Sequence, residues 1–595
     1  MAVNRMIENI MLYSIMLILF GAKITNFVRN LLYLRSANYK DMNKPIIYQV
    51  LPRLWGADKA KPQKNGNITE NGCGTFSDID KKSLEYMKWL GCSHVWFTGV
   101  IKHSTTASTN GCIPSSSQFV KGKAGSPYAI CDYYDVNPYL AENPNHRMEE
   151  FEALIERTHK AGLGVIIDFV PNHVARDYGK NVIPGHPVLG AEDDKSIHWK
   201  PENDFFYYPG TALKLPVSVP DGEDPYVELP AMATGNNCFK PDPSINDWYE
   251  TIKINYCDFH TSTWDKMYDI VRFWAAKGVD GFRCDMVELV PPQFFTWLIR
   301  KIKEDYPDVM FIAEVYSEDL YKKYIREVGF DLLYDKSGLY DTLRTVVEKN
   351  VDDTGMPLEM WQSTTGITRN WQQLGDLQPY MLNFLENHDE QRFASDFFGK
   401  SSSAEIAPLH ASLLLNNAPF MVYFGQEVGE RGMDEEGFSG KDGRTTIFDW
   451  WSIASISRLR RVIHADAYQN LDPEQMFQAG MLKDEAEFFC KFAKLLRFAR
   501  NEKAITEGTF YDLCYSNYGA DGFDKHRHYI FLRDYKESTV LVAANFSNKD
   551  AEMEITIPQH ALDWMGIVAS EKFNPNKYIK ITVPAMGGTV KIISE

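Results

Sequence analysis

Hydrophobic and polar positions alternate with two different periods along this chain. From residue 42 to about residue 500, short runs rich in β-branched and aromatic residues are separated by longer stretches in which apolar positions recur every three to four residues. The short runs are IIYQV (46–50), HVWFT (94–98), GVIIDFV (164–170), GVDGFRCDM (278–286), MFIAEVY (310–316), FDLLYDK (330–336), MLNFLENHD (381–389) and PFMVYFGQE (419–427). Stretches such as MEEFEALIERTHKAG (148–162) and TWDKMYDIVRFWAAKG (263–278) read as the intervening amphipathic helices. Eight such strand–helix units predict an α/β fold, a closed parallel (β/α)8 TIM barrel whose last strand pairs with its first.

Two departures from this rhythm divide the chain. Between the third strand and the helix near residue 263 lies a segment rich in Pro, Gly, Asn and Asp, far longer than an ordinary βα loop. It predicts an inserted subdomain over 174–249, leaving 42–173 and 250–500 for the barrel. After about residue 505 the period shortens to two in HYIFLRDY, STVLVAANFS, MEITIP and GTVKIISE, which predicts a C-terminal antiparallel β-sandwich over 505–595.

Composition narrows the partners. A formal net charge of −17 over 595 residues repels nucleic-acid backbones and anionic membrane surfaces, so no nucleic-acid partner is expected and no membrane partner is required. With 13 Trp and 31 Tyr, the chain has aromatic surface suited to stacking on sugar rings, although most of it belongs in cores. The nine cysteines are odd in number and include no CxxC pair, so reduced thiols are expected, with no metal pattern in Cys73, Cys92, Cys112 and Cys131. Residues 1–41 contain the apolar run IMLYSIMLILFGA (10–22), of signal-peptide length, but no convincing cleavage site follows. Met42 offers an alternative start directly before the first strand. The segment reads either as a targeting or anchor-like sequence, implying export or the cell envelope, or as an upstream mis-start, implying the cytoplasm.

Polar residues gather where barrel enzymes build their sites, at the C-terminal ends of the strands. Asp168 and His173 end the third run, Arg283 and Asp285 the fourth, Glu314 the fifth, and His388 and Asp389 the seventh. Any one of these taken alone reads as a core ion pair or a strand-ending turn; together they lie at one depth on four strands. Three acids at one barrel mouth suggest chemistry at an acetal, where one carboxylate attacks and another protonates the leaving oxygen. Strand alternation turns Arg283 and Asp285 to the same side, so the guanidinium is expected to keep that carboxylate ionised and aimed. Glu314 follows the apolar FIA, a setting that raises a carboxyl toward general-acid duty. His173 and His388 suit hydrogen bonding to hydroxyls.

With DFVPNH, GFRCD, FIAEV and FLENHD in this order, the chain resembles the α-amylase family, glycoside hydrolase family 13, and WLGCSHVWFTGV (89–100) is similar to that family's second-strand signature. The resemblance covers about residues 44–595. It implies that Asp285 is the nucleophile, Glu314 the general acid/base and Asp389 the carboxylate that binds and distorts the donor sugar. It further implies that Arg283 orients Asp285, that Asp168, His173 and His388 hold the sugar's hydroxyls, and that Tyr128 in SPYAICDYYDVNP stacks beneath its ring. The implied activity is retaining hydrolysis of α-glucosidic, mainly α-1,4, bonds in starch-like glucans or maltooligosaccharides. A glucanotransferase or trehalose-type isomerase uses the same residues, and a non-catalytic glycan-binding protein is the remote alternative.

One position departs from the family pattern. Where many members carry Lys and His after the nucleophile, contacting the acceptor sugar and, through a backbone carbonyl, a calcium ion, this chain has Glu288 and Leu289. Glu288 reads as a solvated rim residue in preference to a sugar contact. Calcium stays open as a structural cofactor, with oxygen ligands available in GNNCFKPDPSINDWYE (235–250) but no compact D-x-D-x-D-G loop. The loop EEGFSGKDGRTTIFDWW (435–451) has the composition of a substrate edge, and its tryptophans equally suit packing at the barrel's end.

Overall fold

A computed structural model describes residues 44–351, 363–433, 438–536 and 538–593. The targeting-or-start question at residues 1–41 lies outside them. Among the described residues no helix is long and apolar enough to cross a membrane.

Eight parallel strands close into a barrel: β1 (Ile46–Val50), β2 (His94–Phe97), β3 (Gly164–Phe169), β4 (Gly281–Cys284), β5 (Met310–Ala313), β6 (Leu332–Tyr334), β7 (Met381–Phe384) and β8 (Phe420–Tyr423). β8 pairs with β1, Ile46 opposite Phe420, which closes the ring. Helices cover the outer face of these strands, so the strands are almost wholly buried and read as continuous apolar runs. Seven of the eight sequence runs extend past the observed strands at their C-terminal ends, five of them by two residues or more. The chain leaves the ladder after two to four paired residues, and the polar residues beyond turn into the barrel mouth.

The surrounding helices follow from local chemistry. In α1 (Lys81–Leu90), Asp80 caps the start by accepting the Ser83 amide, and Gly91 at φ 108° ends it in the left-handed region. α2 (Arg147–Lys160) buries Phe151, Leu154, Ile155 and Thr158, one face at helical spacing. α3 (Ser262–Ala276) buries Trp264, Met267, Ile270, Val271 and Trp274 in the same way. α4 (Pro292–Asp305) starts on a proline, whose missing N–H has no partner in a first turn anyway.

The segment between β3 and α3 is largely irregular. It holds a two-residue ribbon, Tyr207–Tyr208 with Ala231–Met232, and is tied at its base where His173–Ala175 pairs with Thr251–Lys253. Polar contacts replace the ladders: Asp193 accepts the amides of Asp204 and Phe205 and the Tyr207 hydroxyl, and buried Arg176 meets Glu228 at 2.7 Å. A further hairpin, Ile101–His103 with Ile130–Val136, follows β2 and was not legible in the sequence.

The C-terminal module is antiparallel. One sheet contains β9 (Thr509–Asp512), β10 (His528–Tyr535), β11 (Ser538–Asn545) and β14 (Gly587–Ile592), while β12 (Ala551–Ile555) and β13 (Ile579–Val583) form a separate pair. A buried arginine joins this module to the barrel. Arg533 on β10 has its guanidinium donating to the carbonyls of Ala504 (2.9 Å), Ile505 (2.8 Å), Gly508 (2.7 Å) and Leu415 (3.2 Å), the last just beyond the barrel helix α5 (Ile406–Leu413). Burial pushes Arg533 down to about 9. Replacing Arg533 by Met strips four carbonyls of a donor and is expected to cost about 3–5 kcal/mol. A urea unfolding midpoint equal to that of the unaltered protein would show the tie to be dispensable.

Candidate active site

The site is assembled around Arg283. This residue lies on β4 opposite Asp168 of β3 and is fully buried. The rings of Trp96, Tyr128 and Tyr334 surround its guanidinium at 5.3 to 5.6 Å. Nη1 donates to Asp285 Oδ1 at 2.6 Å and stands 3.9 Å from Asp168. Nη2 lies 2.7 Å from Glu314 Oε1, an ion pair without hydrogen-bond alignment, and 3.9 Å from Asp389. Nε donates to the Tyr334 hydroxyl at 3.2 Å.

Backbone bonds set the depth of the acids. The Asp285 amide donates to the Phe169 carbonyl at 2.9 Å, and the Glu314 amide to the Cys284 carbonyl at 3.2 Å, which carries the ladders just past the strands. Asp285 Oδ1 is held by Arg283, whereas its buried Oδ2 has no hydrogen-bond partner. Glu314 accepts from the Met286 amide at Oε2 (2.8 Å) and the Tyr316 hydroxyl at Oε1 (2.7 Å). The apolar setting suggested by FIA is therefore not what its carboxylate meets. Asp389 lies beyond β7, where Asn387 Oδ1 accepts the amides of Asp389 and Glu390 in a tight turn. A buried pair, Arg392 to Glu386 at 2.9 Å, fixes that loop from below.

His388, Tyr128 and Asp168 line one wall. The Tyr128 hydroxyl is 2.5 Å from His388 Nε2 and 3.3 Å from Asp168 Oδ1, and the two rings stack at 5.2 Å. The Gln49 side-chain amide on β1 meets His388 Nδ1 at 2.8 Å, and Nε2 of the same ring lies 3.1 Å from Asp389. Trp96 on β2 donates to Asp168 Oδ2 at 3.1 Å. His173 meets the backbone of Tyr128 from the insertion side, its ring packing near Trp248 at 5.3 Å and meeting Asn172 at 3.1 Å. Gln49, Trp96, Tyr334 and Tyr316 were missed from sequence, although the first three share a signal, a polar or aromatic residue near the C-terminal end of a buried barrel strand.

One guanidinium facing four carboxyls cannot hold them all ionised. Burial raises Asp285 well above the usual carboxylate range; Arg283 opposes this, and Glu314 and Asp389 add to it. Burial lifts Asp168 to about 6, against the pull of Arg283 and the donors Trp96 and Tyr128. Burial and then Glu314 lift Asp389 to about 7, but its side chain is 39% exposed, so water at the mouth screens part of that effect. Burial holds His388 well below its ordinary range and His173 down at about 3, so both rings are neutral.

Asp389 opens onto a cavity of about 250 Å³ lined also by His388, Asp442, Arg444 and Phe448. A larger cavity of about 820 Å³ lies between loops 58–62 and 428–433 and contains none of the three acids, so chemistry and not size marks the site.

The residues at the calcium position do not fit a metal. The Leu289 carbonyl accepts from Lys253 Nζ at 2.9 Å, and the same nitrogen meets Asn172 Oδ1. Lys253 is 5% exposed, and burial brings its amine down to about 7. In the 235–250 loop, Asp247 is occupied by Asn236 and Ser244, and among the described residues no group of three or more His, Cys, Asp and Glu side chains is placed to hold a metal. Glu288, expected as a solvated rim residue, is half-buried and accepts the amides of Tyr316 (2.9 Å) and Ser317 (3.3 Å).

The family described as alpha amylase, catalytic domain, matches residues 61–508. Among curated relatives, the α-1,4-glucan:maltose-1-phosphate maltosyltransferase of Cereibacter sphaeroides is 25% identical over 312 residues, 51% of this chain and 41% of the relative. Alpha-amylase 3 of Dictyoglomus thermophilum is 25% identical over 378 residues, 60% of each chain. The chain thus spans about two fifths to three fifths of the length of these relatives. The solved α-amylase of Geobacillus thermoleovorans, complexed with acarbose, superposes with a TM-score of 0.57 at 17% identity, covering 93% of this chain and 98% of that one.

Because Asp389 binds its proton more tightly in the folded than in the unfolded chain, the folded state holds more protons between about pH 4 and pH 7, and stability falls as pH rises through that window. Asp389→Asn is therefore expected to stabilise the protein at pH 7.5 by about 1–2 kcal/mol, discounted for exposure at the mouth, and to leave it unchanged at pH 4. Unfolding midpoints at the two pH values measure this, and equal effects at both would contradict it.

Proposed function

The chain belongs to the α-amylase family, and from that premise we propose that it is a retaining glycoside hydrolase acting on α-glucosidic, mainly α-1,4, bonds of starch-like glucans or maltooligosaccharides. The observation that carries this reading is the bridging of Asp285 and Glu314 by one guanidinium, with Asp285 Oδ2 left free of partners. Two carboxyls tied to one guanidinium suit the short spacing of a retaining pair, about 5–5.5 Å in such enzymes.

In the proposed reaction Asp285 Oδ2 attacks the anomeric carbon while Glu314 gives its proton to the departing glycosidic oxygen. The C–O bond to the leaving sugar breaks as an ester bond to Asp285 forms. Glu314, now a carboxylate, takes a proton from water, whose oxygen displaces Asp285 and restores the starting configuration. Arg283 holds Asp285 Oδ1 so that the other oxygen faces the substrate. Asp389, His388 and Asp168 bind hydroxyls of the same sugar, with Tyr128 beneath its ring and His173 at the wall nearer the insertion. Transfer to a second sugar is the alternative fate of the same intermediate, and a maltosyltransferase among the relatives keeps that reading in view.

Products from maltoheptaose, starch and pullulan, followed over time, test the proposal. Shorter oligosaccharides are expected, with Asp285→Asn lowering kcat at least about a thousandfold. Products longer than the starting sugar would move the assignment to transfer. A folded protein that leaves all three substrates unchanged would overturn it.

We further propose that the Lys253 side chain takes the structural place of a calcium ion between the ends of β3 and β4. Dialysis against EDTA is expected to leave the thermal midpoint unchanged, while Lys253→Met lowers it by several degrees. A midpoint that falls in EDTA and recovers with calcium would refute the substitution.

A further inference from the structure

We infer that Tyr316 and Glu288 are positioning residues for Glu314, joined in a relay that runs from the turn after β4 to the end of β5. The inference rests on the reading of Glu314 as the general acid/base. Tyr316 donates its hydroxyl to Glu314 Oε1 at 2.7 Å. Its own backbone is clamped on both sides: the amide donates to Glu288 Oε2 at 2.9 Å, and the carbonyl accepts from Ser337 Oγ at 2.6 Å. Glu288 also accepts the Ser317 amide at 3.3 Å, so its two oxygens hold two successive amides of the loop.

The turn that carries Glu288 begins at Met286. Met286 sits at φ 46°, in the left-handed region that non-glycine residues seldom adopt, and its amide donates to Glu314 Oε2 at 2.8 Å. The three residues after the candidate nucleophile, Met286 to Glu288, therefore fix the acid twice, directly through the Met286 amide and indirectly through Glu288 and Tyr316. This gives Glu288 a function that neither a rim residue nor a sugar contact would have.

The relay has a chemical consequence. A phenol donates a stronger hydrogen bond to a carboxylate than to a carboxylic acid. Glu314 changes from acid to carboxylate as the glycosidic bond breaks, so the Tyr316 hydrogen bond tightens during that step and little before it. Such an interaction raises kcat and leaves KM nearly untouched.

The test compares Tyr316→Phe, Glu288→Ala, the double variant and Glu314→Gln, each checked for an intact thermal transition. Tyr316→Phe is expected to lower kcat on maltoheptaose by about 10- to 100-fold with KM within about twofold, the range of one charge-assisted hydrogen bond. Its alkaline limb in kcat/KM against pH moves upward. On α-maltosyl fluoride, whose leaving group needs no proton, the defect shrinks to within about threefold, a selectivity that mere loosening of the loop would not produce. Glu288→Ala shows a smaller defect of the same kind, and the double variant is no worse than Tyr316→Phe, as expected for one coupled unit. An unchanged pH profile with equal defects on both substrates would overturn the relay, as would full additivity of the two variants. If Glu314→Gln itself retains turnover on maltoheptaose, the assignment of the acid fails, which is a different result from an inactive Glu314→Gln beside an unaffected Tyr316→Phe.

Discussion

A guanidinium with no access to water, faced by four carboxyls, is the constraint on which the rest of this molecule depends. Burying Arg283 unpaired would carry a desolvation cost of several kcal/mol, and burying the acids without it would carry more. The barrel answers by closing eight strand ends around the charge, with three aromatic rings within 5.6 Å of it. The arrangement is not the one that would maximise stability. Asp168, Asp285 and Asp389 are all displaced toward their protonated forms, first because each is buried and only then because of its neighbours.

Much of this frame was legible in the sequence, and the reasons are local. Buried parallel strands are uniformly apolar, so IIYQV, HVWFT and the six later runs stand out against the helical spacing between them. Asp285, Glu314 and Asp389 were legible because charged residues at the ends of such runs have few places to go but the barrel mouth. The strand ends were overestimated because GFRCDM and FLENHD stay chemically strand-like where the backbone has already left the ladder. The hairpin carrying Tyr128 was missed because its pairing has a bulge at Lys102, and a bulge erases the alternation that marks a strand.

What sequence could not reveal was pairing between distant polar residues. Lys253 lies in an unremarkable IKI segment, and only the folded chain brings it to the carbonyl of Leu289 and the side chain of Asn172. Glu288 likewise looked like surface because its partners are backbone amides on the next strand's loop, which leave no trace in residue type. The same holds for Arg533, whose four acceptors are all carbonyls. In each case the informative group is the main chain, which every residue shares.

The closure of β1 against β8 bears on how such a chain is made. Lys44, just ahead of β1, donates to the Ala418 carbonyl across 374 positions of sequence, and β1 lacks one of its two neighbours until that far strand exists. At roughly 5–20 residues per second, a ribosome needs about 20–75 s to supply it. Throughout that interval the nascent barrel is an open sheet with an apolar edge, competent to pair with any other unfinished strand. A circularly permuted chain that began between β4 and β5 would shift the wait to a different pair of strands without removing it, since a ring always has one seam that synthesis reaches last.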